Sequence, residues 1–346
     1  MFRKNYIQAK QTAGIRPVKT FGRARLRSLR SPPAENSKNY FVRPYTRSLS
    51  RLYTILLKYS LLGFLSALIL VSCASGASVD EKRLPVTFPS IENVTPDWQM
   101  FSGGVDFFHG KIGSPRLEFW ALKIDLSSRE IEIVTKGGVI ENGVTHSAKV
   151  TSFVRDNNLI AGINAVPFDI SSSNEGQPIQ NMGIVVSNGI LLAPANPVYD
   201  AIVFYKDGSA AIVSQASLNS IENIANAAGG FHRILANGEL TPRTQNNEAR
   251  HPRSAAGISA NGQYLYLLVI DGRRSLSVGA AESETALLLR ALGSWDAINF
   301  DGGGSSALAI RFSNGDVKAV NTPIHLLPGQ ERAVAGCLGI RNNSNQ

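Results

Sequence analysis

Two apolar runs in this 346-residue chain end in the same way. LLVIDGRR (267–274) runs into Asp271-Gly272-Arg273-Arg274, and AINFDGGGSSALAI (297–310) runs into Asp301, then Gly302, Gly303, Gly304, Ser305 and Ser306. A carboxylate at the exit of an apolar strand can serve as acid, base or nucleophile. Successive glycines let backbone N–H groups converge on an oxyanion, at a cost in folding entropy that a plain turn would not demand three times over. Polar groups gather at other run ends too: Asn164 in AGINAVPFD (161–169), Arg250, His251 and Arg253 in RHPRSAAGIS (250–259), and Glu331 and Arg332 in QERAVAG (330–336). Taken singly, each has a plainer reading, since Asp-Gly ends many turns and lone arginines are usually solvated. Together, two carboxylates, several arginines and a glycine nest suit an anionic, polyhydroxylated ligand: guanidinium for phosphate, N–H groups for oxyanions, carboxylates for proton transfer.

Other chemistries find less support. There is no G-x-x-x-x-G-K-[ST] and no H-E-x-x-H, and the five histidines lack ligand spacing. Gly303-Gly304-Ser305-Ser306-Ala307 approaches the G-x-S-x-G elbow, so a serine hydrolase using Ser305 is an alternative. The segment after it reads as a hairpin rather than the helix that elbow needs, and only His325 follows as a triad histidine.

The elements that must position these residues are mostly strands. GIVVSNGILLA, AIVFYKDGSAAIVS, FHRILANGEL, AGISANGQYLYLLVI and LAIRFSNGDVKAV each set Asn-Gly or Asp-Gly between strand-like runs, the pattern of a tight hairpin. LEFWALKIDL and EIEIVTK suggest a further pair. Helical spacing is clearest over 146–158, 217–229 and 282–295. The expectation is a single α+β domain over 101–342, a hairpin-rich mixed sheet system covered by a few helices. The two strands ending in Asp-Gly would be sheet neighbours with both carboxylates at one edge.

The formal charge of +9 is misleading until it is located. Residues 1–58 hold 14 Lys/Arg against one acid, whereas 59–346 hold 21 against 25, so the basicity belongs to a leader and nucleic-acid binding is not indicated. Within 1–73 a basic flank precedes an apolar run from Leu61 to Val71, short for a membrane span, that closes on Leu70-Val71-Ser72-Cys73. That ending is similar to the bacterial lipobox, which makes Cys73 the lipidated residue and places the protein on the cell envelope, exported and membrane-anchored. Residues 74–100, small and polar with prolines, read as a tether. Cys337, the other cysteine, lies in an apolar run and reads as a buried small side chain.

In this order, AGINAVPFD, RHPRSAAGIS, LLVIDGRR, AINFDGGGSSAL and ERAVAG resemble the phosphodiester glycosidase family over roughly residues 100–342. The resemblance implies hydrolysis between a sugar's anomeric carbon and a phosphodiester, with an envelope or extracellular phosphoglycan as substrate. It implies Asp301 and Asp271 as catalytic carboxylates, close enough for one to raise the other's pKa. Arg253, Arg273 and the Gly302–Ser306 turn would hold the phosphate. Asn164, His251 and Glu331 would orient sugar hydroxyls or water, and Arg332 would pair with a carboxylate. No cofactor is required, although a divalent cation such as Ca²⁺ could join the acidic residues. Departures from the family pattern at Ala165-Val166-Pro167-Phe168 and Ser254 bear on the pocket. The rival of another class is a non-catalytic lipoprotein that binds glycans or polyanions.

Overall fold

The structure is a computed structural model, described here for residues 89–343 except 137 and 170–173. The leader, the apolar run and Cys73 lie outside the described residues. The described chain is consistent with the α+β expectation but is mostly antiparallel sheet; its α-helices are Pro89–Glu92, Val150–Asp156 and Glu282–Leu292. An eight-stranded sheet runs in the order Gln99–Ser102, Val105–Gly113, Arg116–Asp125, Tyr264–Ile270, Arg253–Ile258, Asp296–Asn299, His232–Ala236, Glu239–Leu240. One five-stranded sheet is Val317–Ala319, Leu308–Arg311, Ala161–Asn164, Cys337–Asn342, Ile131–Thr135. The other is Ile190–Ala193, Val185–Ser187, Ile224–Gly229, Asp200–Tyr205, Ala210–Ser214, and a three-stranded sheet completes the set.

Alternation along the strands explains the layers. Leu122, Leu267, Ile298 and Phe300 of the long sheet meet Ile163, Leu308 and Leu338 of one five-stranded sheet and Ile202 and Ala228 of the other in one core. The opposite face of the long sheet, with Ala255, Leu268 and Ala297, is covered by Leu287–Leu289 of the helix Glu282–Leu292. That helix begins with Glu284 Oε2 accepting the Ala281 N–H at 2.8 Å and ends at Gly293, whose φ of +116° a side chain would resist.

All five hairpins foreseen from Asn-Gly and Asp-Gly form. Only Asn188-Gly189 and Asn237-Gly238 make the two-residue form with both residues at positive φ; the other three use longer loops in which glycine alone is left-handed. Four expectations fail. Residues 217–229 are not a helix: Ile224–Gly229 is a sheet-interior strand, with Ala227 and Ala228 buried in different cores, so small side chains serve close packing on both faces. Arg116–Asp125 and Ile131–Thr135 do not pair, because each buries its apolar side in the same core from a different sheet. The tether does not reach residue 100: Ile91 is fully buried, and Glu92 accepts a 2.7 Å hydrogen bond from Arg290.

Tyr264–Ile270 and Asp296–Asn299 are not neighbours either. Arg253–Ile258 lies between them, antiparallel to both, with Arg253 opposite Ile270 and Ala255 opposite Asn299. Two exits and one entry therefore share a sheet edge, and Asp271, Asp301 and Arg253 arrive there together.

Candidate active site

Asp301 is fixed through its backbone before its carboxylate does anything. Its N–H donates to the Ala165 carbonyl at 2.9 Å, and its carbonyl accepts from Asn164 Nδ2 at 2.6 Å. Asn164 is fully buried, and its Oδ1 accepts from Ser254 Oγ at 2.6 Å and from the Ala307 N–H at 3.1 Å. With every polar atom engaged, Asn164 cannot meet a sugar, as the resemblance implied; it ties three segments together around the Asp301 turn.

The Asp301 carboxylate, only partly exposed, accepts from the Ser305 side chain and the Gly302 N–H, and Arg332 adds an attractive charge. Burial outweighs these and pushes its pKa up to about 6. No second carboxylate contributes to that rise, so its cause is desolvation rather than the pairing with Asp271 expected from the sequence. Arg332 donates through Nε to His325 Nδ1 at 3.1 Å and through Nη1 to Ser305 Oγ at 3.3 Å. A Cβ on Gly304 would stand 2.8 Å from Arg332 Nη2, and one on Gly303 would stand 3.1 Å from Arg273 Nη2. Missing side chains thus let two guanidinium groups close on the 3₁₀ turn Gly303–Ser305 from different loops. Arg273 is exposed, adopts φ +58° and makes no ion pair among the described residues.

Asp271 is placed quite differently. It is 1 % exposed and accepts from Arg274 Nη1, from Asn321 Nδ2 at 3.2 Å, and from the Thr322 N–H at 3.0 Å. Burial still raises its pKa against those bonds. A carboxylate so enclosed rivets the 271–277 loop to the 321–322 loop, and this corrects its assignment as a second catalytic group. Glu331 is also drawn away, since its carboxylate binds the N–H and hydroxyl of Thr151 in the first turn of Val150–Asp156. Arg253 is buried and spends its donors on the Ala280 and Ala249 carbonyls at 2.9 and 2.8 Å, with Glu282 at 3.5 Å. His251 is exposed beside it; burial, then Arg253 and Arg273, lower its pKa and favour the neutral ring. Ser306 is buried behind the turn, where its carbonyl accepts from Asn321.

Among the described residues the Ser305 hydroxyl contacts Asp301 and Arg332 and no histidine, while His325 Nδ1 accepts from Arg332. That argues against the serine hydrolase. Among the described residues no three His, Cys, Asp or Glu side chains converge as metal ligands, and an arginine already accompanies each site carboxylate. The arrangement does not fit Ca²⁺, whose sites need several free oxygens. Cys337 is buried and its thiol is pushed up to about 12, which suits packing and not reactivity.

Sequence reasoning named Arg274 without its role on Asp271, and missed Asn321 and the buried pair of His232 and Glu282, whose Nε2 and Oε2 lie 2.7 Å apart. Asn321 sits in the ordinary turn text NTP, with no local signal of its partner fifty residues away. A cleft of about 310 Å³ opens beside Gly302, lined by Phe231, His232, Arg253, Glu282 and Asn299.

Comparison with known proteins identifies a family and related folds. The family model described as phosphodiester glycosidase matches residues 157–341. Among solved structures, the chain is similar to the zebrafish N-acetylglucosamine-1-phosphodiester alpha-N-acetylglucosaminidase catalytic domain auto-inhibited by its pro-peptide. That match has 21 % identity and a TM-score of 0.54, and covers 73 % of this chain and 86 % of that one. It is also similar to a hypothetical protein from Synechocystis, at 14 % identity and a TM-score of 0.52, covering 71 % of this chain and 64 % of that one. The chain therefore spans less than two thirds of the Synechocystis protein. No curated protein matches.

Proposed function

The chain belongs to the phosphodiester glycosidase family, and from that premise we propose that it hydrolyses the bond between a sugar's anomeric carbon and a phosphodiester in an envelope phosphoglycan. The observation that carries this reading is the Asp301 turn. It presents one partly buried carboxylate with a pKa near 6, Arg332 beside it, and an unpaired Arg273 over the glycines. In such a substrate the leaving group departs as a phosphate monoester, which needs charge neutralisation more than a proton. Arg273 and Arg332 supply that charge. Asp301, ionised at neutral pH yet more basic than a solvated aspartate, takes the proton from the attacking water. The new C–O bond forms from water, the anomeric C–O bond to phosphate breaks, and the electron pair leaves with the phosphomonoester. Asp271 is enclosed by its own hydrogen bonds, so it is not the second carboxylate of a two-carboxylate mechanism.

The test is release of free sugar and phosphomonoester from a panel of sugar-1-phosphodiesters and envelope polymers by the purified protein. Turnover lost in Asp301→Asn supports the reading; full turnover in that variant removes Asp301 from its role. A glycan- or polyanion-binding lipoprotein would instead bind saturably and release nothing.

The leader supports a lipid anchor at Cys73 and a place on the bacterial envelope. Palmitate labelling and membrane fractionation that persist in Cys73→Ala would refute the anchor.

A further inference from the structure

We propose that the cleft between Gly302 and the start of the helix Glu282–Leu292 is the subsite that selects the sugar, reading its hydroxyl groups through His232 and Asn299. This rests on the hydrolase reading above and deepens it. Strand alternation puts Arg253, Asn299 and His232 on the face that the helix covers, and His232 and Asn299 are direct cross-strand partners. Both line the cleft, and they are 7 % and 2 % exposed.

Their hydrogen bonding is incomplete. His232 engages Glu282 through Nε2, and Glu282 is held ionised: burial opposes its charge, but His232, Arg253 and Asn247 overcome that and lower its pKa. An ionised Glu282 can only accept, so Nε2 carries the hydrogen. His232 Nδ1 and Asn299 Oδ1 are left buried with no partner among the described residues. Buried polar groups are seldom left so, because each costs free energy until a partner arrives. Asn299 Oδ1 is an acceptor and His232 Nδ1 a polar ring atom, and a sugar hydroxyl, at once donor and acceptor, is the group that can satisfy both.

Two further lining residues, Phe231 and Gly302, suit a sugar ring. Phe231 gives an apolar face, held edge-on against Tyr199 with centroids 5.5 Å apart. The volume of about 310 Å³ is at the lower end for small-ligand pockets and admits one ring. Gly302 contributes wall to this cleft and a donor to the Asp301 carboxylate, so a ring seated here lies next to the reacting group.

The experiment measures binding of the 1-phosphates of glucose, galactose, mannose and N-acetylglucosamine to the full chain by calorimetry, in wild type and three variants. His232→Gln keeps a donor for Glu282 and removes the unpartnered Nδ1, Phe231→Ala removes the apolar wall, and Asp301→Asn leaves the cleft intact. The expected result is a tenfold or larger preference for one probe over its epimer. That preference falls at least tenfold in His232→Gln and Phe231→Ala and persists in Asp301→Asn. Melting curves establish that each variant is folded, and Phe231→Ala carries the test if His232→Gln is not. Equal binding of all probes, no binding of any, or an unchanged preference in a folded cleft variant overturns the proposal. Discriminating binding without turnover of any phosphodiester refutes the hydrolase reading alone; turnover without discrimination refutes only the subsite.

Discussion

Asp271 and Asp301 occupy equivalent positions in the text of the chain, each closing an apolar strand and preceding glycine, and both strands end at one edge of one sheet. Their surroundings divide them. Asp271 is followed by Gly-Arg-Arg, and Arg274 folds back onto it while Asn321 and Thr322 close the other side. Asp301 is followed by three glycines that cannot reach back with a side chain, so Ser305 and one N–H are its near donors, and Arg332 acts by charge. The same sequence phrase thus makes a rivet in one loop and an open carboxylate in the other. Hydrogen-bond saturation, more than burial, separates a structural from a reactive aspartate.

Breaking the comparison from the Asp301 side has the largest effect. Asp301→Asn should lower kcat at least about a thousandfold, a loss of about 4 kcal/mol in transition-state stabilisation, while the melting temperature holds or rises. On the other side, Asp271→Ala should cost about 3 kcal/mol of stability by denaturant unfolding, because Arg274, Asn321 and the Thr322 N–H lose their acceptor together. Asp271→Asn, which keeps an acceptor, should cost less.

pH sharpens the contrast further. Asp301 binds its proton more tightly folded than unfolded, so the fold loses stability as pH rises from about 4 to about 6. Below about pH 4 both states are protonated and the cost vanishes. Above about pH 6 it is fully present, at up to about 3 kcal/mol. Thermal melts from pH 3.5 to 7.5 should show this slope in wild type and a flatter one in Asp301→Asn, and kcat/KM should rise through an apparent pKa near 6. The smallest effect belongs to Arg273→Ala. It should raise KM roughly tenfold with little change in stability, since an exposed, unpaired guanidinium supports no buried contact.

The hairpins were legible because Asn-Gly and Asp-Gly constrain backbone dihedrals locally. The gathering of Asp271, Asp301 and Arg253 at one edge was legible from strand exits. Which strands pair was not, since Ile131–Thr135 and Arg116–Asp125 show the same alternation and differ only in the sheet they join. Residues 217–229 misled because alanine spacing serves a helix face and a doubly buried strand equally well. Within the site, Asp301, Arg273 and the glycines stood out by composition. Asn164 and Glu331 were drawn to other duties by partners remote in sequence, and His232 with Glu282 became visible only when the helix was seen to cover the sheet edge.

The interleaving of the sheets bears on how the protein can be cut. The family match begins at residue 157, yet Arg116–Asp125 pairs along the whole of Tyr264–Ile270, and Ile131–Thr135 pairs with Cys337–Asn342. A fragment trimmed to the matched region would leave both of those strands as raw, apolar edges, an invitation to intermolecular pairing and aggregation. The first strands are therefore edge protection for the machinery that follows them, and expression boundaries belong ahead of residue 89, where the packed helix begins.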